Sequence, residues 1–338
     1  MFCSVIIPAA NAGRTIGECI LATLSQSVPR EIYEVIVVDD GSRDQTGRIA
    51  RATGVRVISQ PRRGLAAARN AGARIAAGDI LVFLNPDCVP KLDWLAQMLA
   101  PFEEPTVAGV RGAYQTHEEG LLPRTIQADC DDAYRRLAER PAIDAVEGYS
   151  AAYRREIFRL AGGFDPSLAH ADDVDLSYRL AARGFRLVFA PKACVYRRHG
   201  SDVGRYLEQN LRTGLWQALL YARHPAKLRD RSSSADHDLS EVPLAAAAIA
   251  SLVAGTRWPR LLPFAGIALA GFAAAVFPSA WRARRAGTDV ALAIPGLRFL
   301  RALALGTGLA AGGGVVVGQS LSERAANWVR SFGRQIGR

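Results

Sequence analysis

Three groups of carboxylates stand out, two of them where strand-like runs stop. Asp39 and Asp40 close the β-branched run Glu34–Val38. Asp87 follows the apolar run Ile80–Leu84 by three residues. Asp172, Asp173 and Asp175 share the segment His170-Ala-Asp-Asp-Val-Asp-Leu-Ser-Tyr-Arg. One such cluster says little, because Asp is a common turn and helix-capping residue, and Asp44 and Asp165 are read as no more than that. Taken singly, Asp87 also fits a loop cap, and Asp172/Asp173 a solvated helix start favoured by the dipole. Several acidic strand ends in one α/β segment point further, to a divalent cation and a nucleotide. Other chemistries lack their residues. There is no GxxxxGK[ST] for a P-loop, no GxGxxG after the first strand, no GxSxG and no HExxH.

The elements that must position these groups alternate regularly. Strand-like runs are expected at Cys3–Pro8, Glu34–Val38, Val55–Ser59 and Ile80–Leu84, with helical spacing at Thr15–Ser27, Asp44–Ala52 and Leu65–Ala77. Such alternation predicts an α/β fold with a mostly parallel sheet flanked by helices, in which ligands bind beyond the carboxyl ends of the strands. Residues 106–200 read as mixed: strands at Val107–Tyr114, Val146–Tyr153 and Arg186–Ala190, a turn at Gly162–Asp165, a helix at Val174–Arg183. An Arg-rich helical stretch covers 201–230, and 231–241 (RSSSADHDLSE) reads as a polar linker.

After the linker the composition changes. Val242–Thr256 and Leu261–Trp281 carry no charge, and the second is long enough to span a bilayer. Arg257-Trp258-Pro259-Arg260 lies between them, and Arg282, Arg284 and Arg285 follow, as on a cytosolic flank. Ala302–Gly318 is a third apolar stretch, with Gly308/Gly312 and Gly314/Gly318 at a spacing that permits close helix packing. Arg298 and Arg301 just before it fit an interfacial or re-entrant segment as well as a span. A basic tail, 319–338, ends the chain.

Charge and composition narrow the class. The 338 residues are 49% hydrophobic and 22% charged, which excludes disorder as the main state. Of the net charge of +10, residues 241–338 supply +8, from 11 Arg against Glu241, Asp289 and Glu323. An excess beside the most apolar stretches reads as a membrane-surface footprint rather than a nucleic-acid face. Cys3, Cys19, Cys88, Cys130 and Cys194 form no CxxC pair, so reduced thiols in a cytosolic domain are expected. Met1–Ala10 has no basic start and reads as a strand rather than a signal peptide. Only three of the 42 basic residues are Lys, a bias that with abundant Ala and Gly suggests a GC-rich bacterial gene.

At this point the residues resemble a family. Cys3–Asn11 (CSVIIPAAN), Val37–Thr46 (VVDDGSRDQT), Arg63–Gly72 (RGLAAARNAG), Phe83–Cys88 (FLNPDC), Gly148–Leu168 (GYSAAYRREIFRLAGGFDPSL) and Asp172–Leu180 (DDVDLSYRL) are similar, in order, to the motifs of family 2 inverting glycosyltransferases with the GT-A fold. The likeness covers roughly residues 1–200. It implies that Asp39 accepts a hydrogen bond from the nucleotide base, uracil being expected, with Pro8, Ala9 and Asn11 lining the pocket. It implies that Asp40 supports that loop and that Arg69 faces the nucleotide or its diphosphate. Asp87 would bind Mg²⁺ or Mn²⁺ with His199, and Asn85, where the family's metal motif begins with an acid, could ligate the ion or ribose without charge. Asp173 would be the general base, oriented by Asp172.

The chemistry implied is consistent. An acceptor hydroxyl attacking the anomeric carbon must lose a proton, so a carboxylate must lie within reach. The leaving diphosphate gains charge that a divalent ion can neutralise. The expectation is a glycosyltransferase domain at 1–230 in the bacterial cytosol, linker 231–241, apolar membrane or interfacial helices at 242–318 and the basic tail. The donor would be a nucleotide sugar, with a UDP-sugar expected. The acceptor would be lipid-linked or glycan, at the inner face of the cytoplasmic membrane, with lipid and not nucleic acid as partner. Two other classes remain open. A nucleotidyltransferase would need a Gly-rich basic first loop, where the chain has PAANAGR. A non-catalytic, transferase-like membrane assembly partner has Asn85 in its favour.

Overall fold

In the computed structural model, residues 1–168, 170–197, 200–228 and 241–317 are described. They form two compact units. The first holds Met1–His117 and Tyr134–Arg198; the second holds Glu118–Ala133 and the described residues from 200 onward. The expected first domain ran to residue 230, whereas the compact grouping places the helix after residue 200 with the apolar segments. His199, residues 231–240 of the expected linker and the tail 319–338 lie outside the described residues.

The first unit begins with strict alternation: β1 (Cys3–Ala9), α1 (Ile16–Leu24), β2 (Tyr33–Asp40), α2 (Thr46–Ala52), β3 (Arg56–Gln60), α3 (Leu65–Ile75) and β4 (Ile80–Leu84). Then come β5 (Cys88–Pro90), α4 (Trp94–Leu99), β6 (Val107–Gln115), α5 (Leu121–Ala138), β7 (Ser150–Arg154), α6 (Arg155–Leu160), α7 (Asp172–Ala181) and β8 (Arg186–Arg197). Helix α5 is divided, since its residues through Ala133 group with the second unit. The eight strands form one sheet in the order β3-β2-β1-β4-β7-β6-β8-β5.

β1 and β2 are inner strands, buried along almost their whole length, which is why both read as unbroken apolar runs. The edge strand β3 exposes Arg56 and Ser59. Strands β3, β2, β1 and β4 are mutually parallel. The mostly parallel expectation holds for this half. Beyond it the sheet is mixed: β7 runs antiparallel to β4 and β6, β6 is parallel to β8, and β5 is antiparallel to β8. The first four strands therefore direct their carboxyl ends, and Asp39, Asp40 and Asn85–Asp87, to one side.

The second unit is helical: α8 (Val203–Arg223), α9 (Glu241–Gly255), α10 (Leu262–Ala283) and α11 (Thr288–Val317), with the first part of α5. The third apolar stretch is the second half of α11. Asp202 caps α8 by accepting from the amides of Gly204 and Arg205. Phe272, Val276 and Ala283 of α10 pack with Val290, Ile294 and Ala302 of α11 and Ala245 of α9. Arg298 and Arg301, which fitted an interfacial or re-entrant segment as well as a span, are each 4% exposed. Arg298 Nε donates to Asp129 Oδ1 (2.7 Å) and Nη1 to Glu241 Oε1 (2.7 Å), and Arg301 pairs with Asp129 Oδ2. Asp132 accepts from Ser279 Oγ (2.8 Å) and from Arg282 Nε (2.5 Å). Charges inside apolar helices persist because each has an opposite partner.

α8 and α11 run in the same direction in close contact. Gly308 faces the carbonyl of Leu211, Gly312 that of Leu215, and Gly214 that of Leu305. A Cβ at Gly308 would lie 2.0 Å from the Leu211 oxygen, whereas one at Gly313 meets nothing within 4 Å. Gly308→Ala should therefore force the helices apart and lower stability by about 1–3 kcal/mol. Gly313→Ala should be neutral or gain up to about 1 kcal/mol from helix propensity. Thermal unfolding of the two variants in detergent checks the contrast, and equal behaviour would refute this packing.

Candidate functional site

The loops after β1 and β2 are laced together. Ala12 N donates to Thr46 Oγ1 (2.7 Å), Gly13 N to Asp44 Oδ2 (2.9 Å), Asn11 N to Ser42 Oγ (3.0 Å) and Arg43 N to Asn11 Oδ1 (2.9 Å). Asn11 holds a left-handed backbone, φ 53°, which Asn tolerates better than most residues. Asp44, read from sequence as a simple turn residue, braces both loops. Its carboxyl sits below the usual range because Thr46 Oγ1 donates to it, assisted by the Thr46 and Gly13 amides. Pro8 and Ala9 are buried strand residues, so Asn11 is the exposed member of that trio.

Asp39 is 8% exposed and accepts from the Ser42 amide (3.0 Å) through Oδ1. Asp40 is 3% exposed and pins the chain that leads into α3. Its Oδ1 accepts from Gln60 Nε2 (2.7 Å) and Arg63 N (2.9 Å), and Oδ2 from Gly64 N (2.8 Å).

Arg69 of α3 is the hub. Its guanidinium is buried and donates from Nη1 to Asp172 Oδ2 (3.1 Å) and from Nη2 to the Gly148 carbonyl (2.8 Å) and Asn85 Oδ1 (3.3 Å). Residue 148 must be glycine for this, because a Cβ there would lie 2.4 Å from Nη2. Sequence reading turned Arg69 toward the nucleotide. The structure commits these nitrogens to protein groups and leaves Nε buried with no hydrogen-bond partner.

Asp172 and Asp173 open α7 and meet different partners. Asp172 is 2% exposed and faces Arg69. Burial pushes its carboxyl up to about 7, with Arg69 opposing and the neighbouring Asp173 reinforcing the rise. Asp173 is half-buried, and its Oδ2 accepts from the Gly148 amide (2.7 Å). Gly148 therefore binds Arg69 through its carbonyl and Asp173 through its amide.

Asp87 lies at the open side of this framework, its carboxylate 40% exposed and paired with Arg197 Nε (3.2 Å). The Asn85 amide donates to the Tyr149 carbonyl (3.1 Å). Asp87 and Asn85 offer oxygen donors suited to a hard divalent ion that keeps other ligands from phosphate or water. Among the described residues no group of three or more His, Cys, Asp or Glu is clustered to hold a metal ion. His199 is not among those residues.

Several contributors escaped the sequence reading. Arg197 arrives beside Asp87 only through the β5–β8 register, which sets it opposite Cys88. Asn70 clamps Phe164 from both sides, donating to its carbonyl (2.7 Å) and accepting from its amide (3.0 Å). A cleft of about 450 Å³ lined by Asn70, Arg74, Phe158, Arg159 and Gly163 contains none of the expected site residues.

Comparisons with known proteins follow this geometry. The profile of "Glycosyl transferase family 2" matches residues 4–160, and that of "Glycosyl transferase family group 2" matches 129–280. Glycosyltransferase AglE of Haloferax volcanii is 31% identical over 199 residues, 56% of this chain and 64% of that one. Pre-mycofactocin glycosyltransferase of Mycobacterium tuberculosis is 32% identical over 203 residues, 57% of this chain and 43% of that one. The chain thus spans less than two thirds of either relative. Succinoglycan biosynthesis protein ExoA of Rhizobium meliloti is 26% identical over 274 residues, 77% of this chain and 80% of that one. Among solved structures, mannosyltransferase PcManGT from Pyrobaculum calidifontis, in complex with GDP-Man and Mn²⁺, superimposes with a TM-score of 0.58 at 24% identity, covering 89% of this chain and 86% of that one. That likeness establishes the GT-A fold.

The raised Asp172 carboxyl has a consequence for stability. Its folded value lies above its ordinary 3.8, so the folded chain binds this proton more tightly than the unfolded chain. Its contribution to stability falls as pH rises from about 4 to about 7 and levels off above. Asp172→Asn cannot titrate. The unfolding temperature of the wild type should therefore fall relative to that of Asp172→Asn between pH 5 and pH 8, as read by thermal shift in detergent. A constant gap would show that Asp172 does not titrate there.

Proposed function

The chain belongs to glycosyl transferase family 2, and we propose that it moves a sugar from a nucleoside diphosphate donor to an acceptor hydroxyl with inversion at the anomeric carbon. The observation that carries this reading is the single guanidinium of Arg69, which joins Asn85 of the 85–87 segment to Asp172. It ties the segments that carry the candidate ion-binding carboxylate, Asp87, and the candidate base, Asp173, to one another, which supports reading them as one site. The strand ends bearing Asn11, Asp39 and Asp40 form its nucleotide side.

In the reaction the acceptor oxygen forms a bond to the anomeric carbon as the bond to the diphosphate breaks. Asp173 takes the hydroxyl proton. It is half-buried, and the Gly148 and Val174 amides orient its two oxygens. Asp172 shares its helix turn and holds Arg69 rather than substrate. Asp87, with Asn85 and His199, would hold Mg²⁺ or Mn²⁺, which when bound neutralises charge on the leaving diphosphate. The first base considered is uracil. PcManGT, in complex with GDP-Man, makes guanine the second.

The acceptor we propose is lipid-linked or a growing glycan, met at the inner face of a bacterial cytoplasmic membrane, with the first unit in the cytosol. Helices Pro259–Ala283 and Thr288–Val316 are long and apolar enough to cross a membrane. α10 exposes Leu262, Phe264, Ile267, Leu269, Phe277 and Trp281, an outward face with no polar side chain from 262 to 278. At 1.5 Å per residue its 22 residues reach about 33 Å, the scale of a bilayer core.

Full-length protein in detergent should release nucleoside diphosphate from one donor of a UDP- and GDP-sugar panel when acceptor glycolipid and Mn²⁺ are supplied, and not in EDTA. Asp87→Ala and Asp173→Asn should each lower turnover by at least about 100-fold. Asp173→Asn should leave nucleotide affinity unchanged. Full activity in Asp173→Asn would remove it as the base, whereas no release from any donor by the wild type would favour the non-catalytic reading. Separately, alkaline carbonate washing of membranes from expressing cells should leave the chain in the pellet. Its release would contradict insertion of α10.

A further inference from the structure

The arginine on Asp87 has no role in the scheme above. Arg197 ends the described part of β8, and the antiparallel β5–β8 register places it beside Asp87, 110 residues away in sequence. Its Nε donates to Asp87 Oδ2 at 3.2 Å. The guanidinium carbon lies 5.7 Å from the centre of the Tyr149 ring and 6.0 Å from that of Tyr114, and those rings meet edge to face at 4.9 Å. Two aromatic faces and a carboxylate thus hold one cation in a defined place. The side chain is 27% exposed, so the fork is not sealed into the core.

The charge balance of this corner is unusual. Asn85 brings no charge, Arg69 is committed to Asp172, and the single negative charge of Asp87 is matched by Arg197. A divalent ion approaching Asp87 Oδ2 therefore meets an oxygen that already serves a cation, and the guanidinium repels it. An arginine released from that oxygen is also the side chain best shaped to grip a diphosphate with two parallel hydrogen bonds.

We propose that Arg197 is a built-in cation of the donor site, which competes with the divalent ion for Asp87 and supplies positive charge to the donor's diphosphate. This rests on the reading of Asp87 as the ion-binding carboxylate. It makes Arg197 the residue that sets how strongly nucleotide binding depends on metal.

The test uses full-length protein in detergent and three probes: Mn²⁺, UDP and GDP. Mn²⁺ binding is read by loss of the free-ion paramagnetic resonance signal, with and without nucleotide, and nucleotide binding by calorimetry. In Arg197→Ala the Mn²⁺ midpoint should fall by about 10-fold as repulsion is removed. Nucleotide affinity in EDTA should weaken by about 10-fold, and this deficit should shrink when Mn²⁺ is saturating. Arg197→Gln keeps the stem between the rings and a donor to Asp87 without the charge, so it must shift both readings the same way even if the alanine variant folds poorly. Arg197→Lys must restore the Mn²⁺ midpoint. In Asp87→Ala, Mn²⁺ binding should be lost, and adding Arg197→Ala should not recover it. Unchanged Mn²⁺ and nucleotide binding in Arg197→Ala and Arg197→Gln, with loss in Asp87→Ala, overturns the role of Arg197 alone. Unchanged Mn²⁺ binding in Asp87→Ala overturns the metal reading and this proposal with it.

Discussion

The buried ion pair between Arg69 and Asp172 is the constraint around which the first unit is arranged. Both side chains are 3% exposed. Two charges removed from water cost several kcal/mol each, and their attraction offsets this only if the geometry is good and further hydrogen bonds are made. The Gly148 carbonyl and Asn85 supply those bonds. Satisfying one guanidinium therefore fixes α3, the segment after β4, the approach to β7 and the start of α7 relative to one another. Removing one partner would leave the other charge buried, at a cost of about 3–5 kcal/mol. Asp172 is the acid spent on this pair, while Asp173 is half-buried and accepts from the Gly148 and Val174 amides.

The loops after β1 and β2 follow another logic. Their acids are satisfied chiefly by backbone amides rather than by cations. Asp40 accepts two amides from residues 63 and 64, Asp39 one from Ser42, and Asp44 those of Gly13 and Thr46. Carboxylates bonded to amides hold loops still without adding net positive charge, and charge-assisted bonds of this kind are the stronger sort. The loops after parallel strands are thereby shaped in advance, where an α/β sheet receives its ligands.

Much of this was legible in the chain. The runs Cys3–Pro8, Glu34–Val38 and Ile80–Leu84 have the apolar continuity of buried parallel strands, and Asp39, Asp40 and Asp87 fall at or just after the ends of the last two. Local pattern reports such features faithfully. It does not report partners 100 residues away. Arg69 reads as a nucleotide-facing residue because nothing local shows Asp172 opposite it. Arg197 is invisible because its place depends on a three-residue strand, β5, too short to carry a period. α5 was missed for a related reason: residues 121–138 carry seven charged or amide side chains, whose Asp129 and Asp132 turn out to face arginines rather than water.

The basic surplus of the last hundred residues takes on a sharper meaning once partners are counted. Sequence alone treats its arginines as one population. The structure divides them. Arg298 and Arg301 are buried on Asp129 and Glu241, and Arg282 is drawn to Asp132. Arg257, Arg260, Arg284 and Arg285 remain exposed, and they sit at the two ends of α10. Trp258 and Trp281 stand beside them, 62% and 58% exposed. A nucleic-acid face needs its cations spread over one surface to follow a phosphate backbone. Cations gathered into two collars, each with a tryptophan and separated by an apolar helix, match the two interfaces of a bilayer. Arginine in both collars gives no bias of its own to the direction of α10.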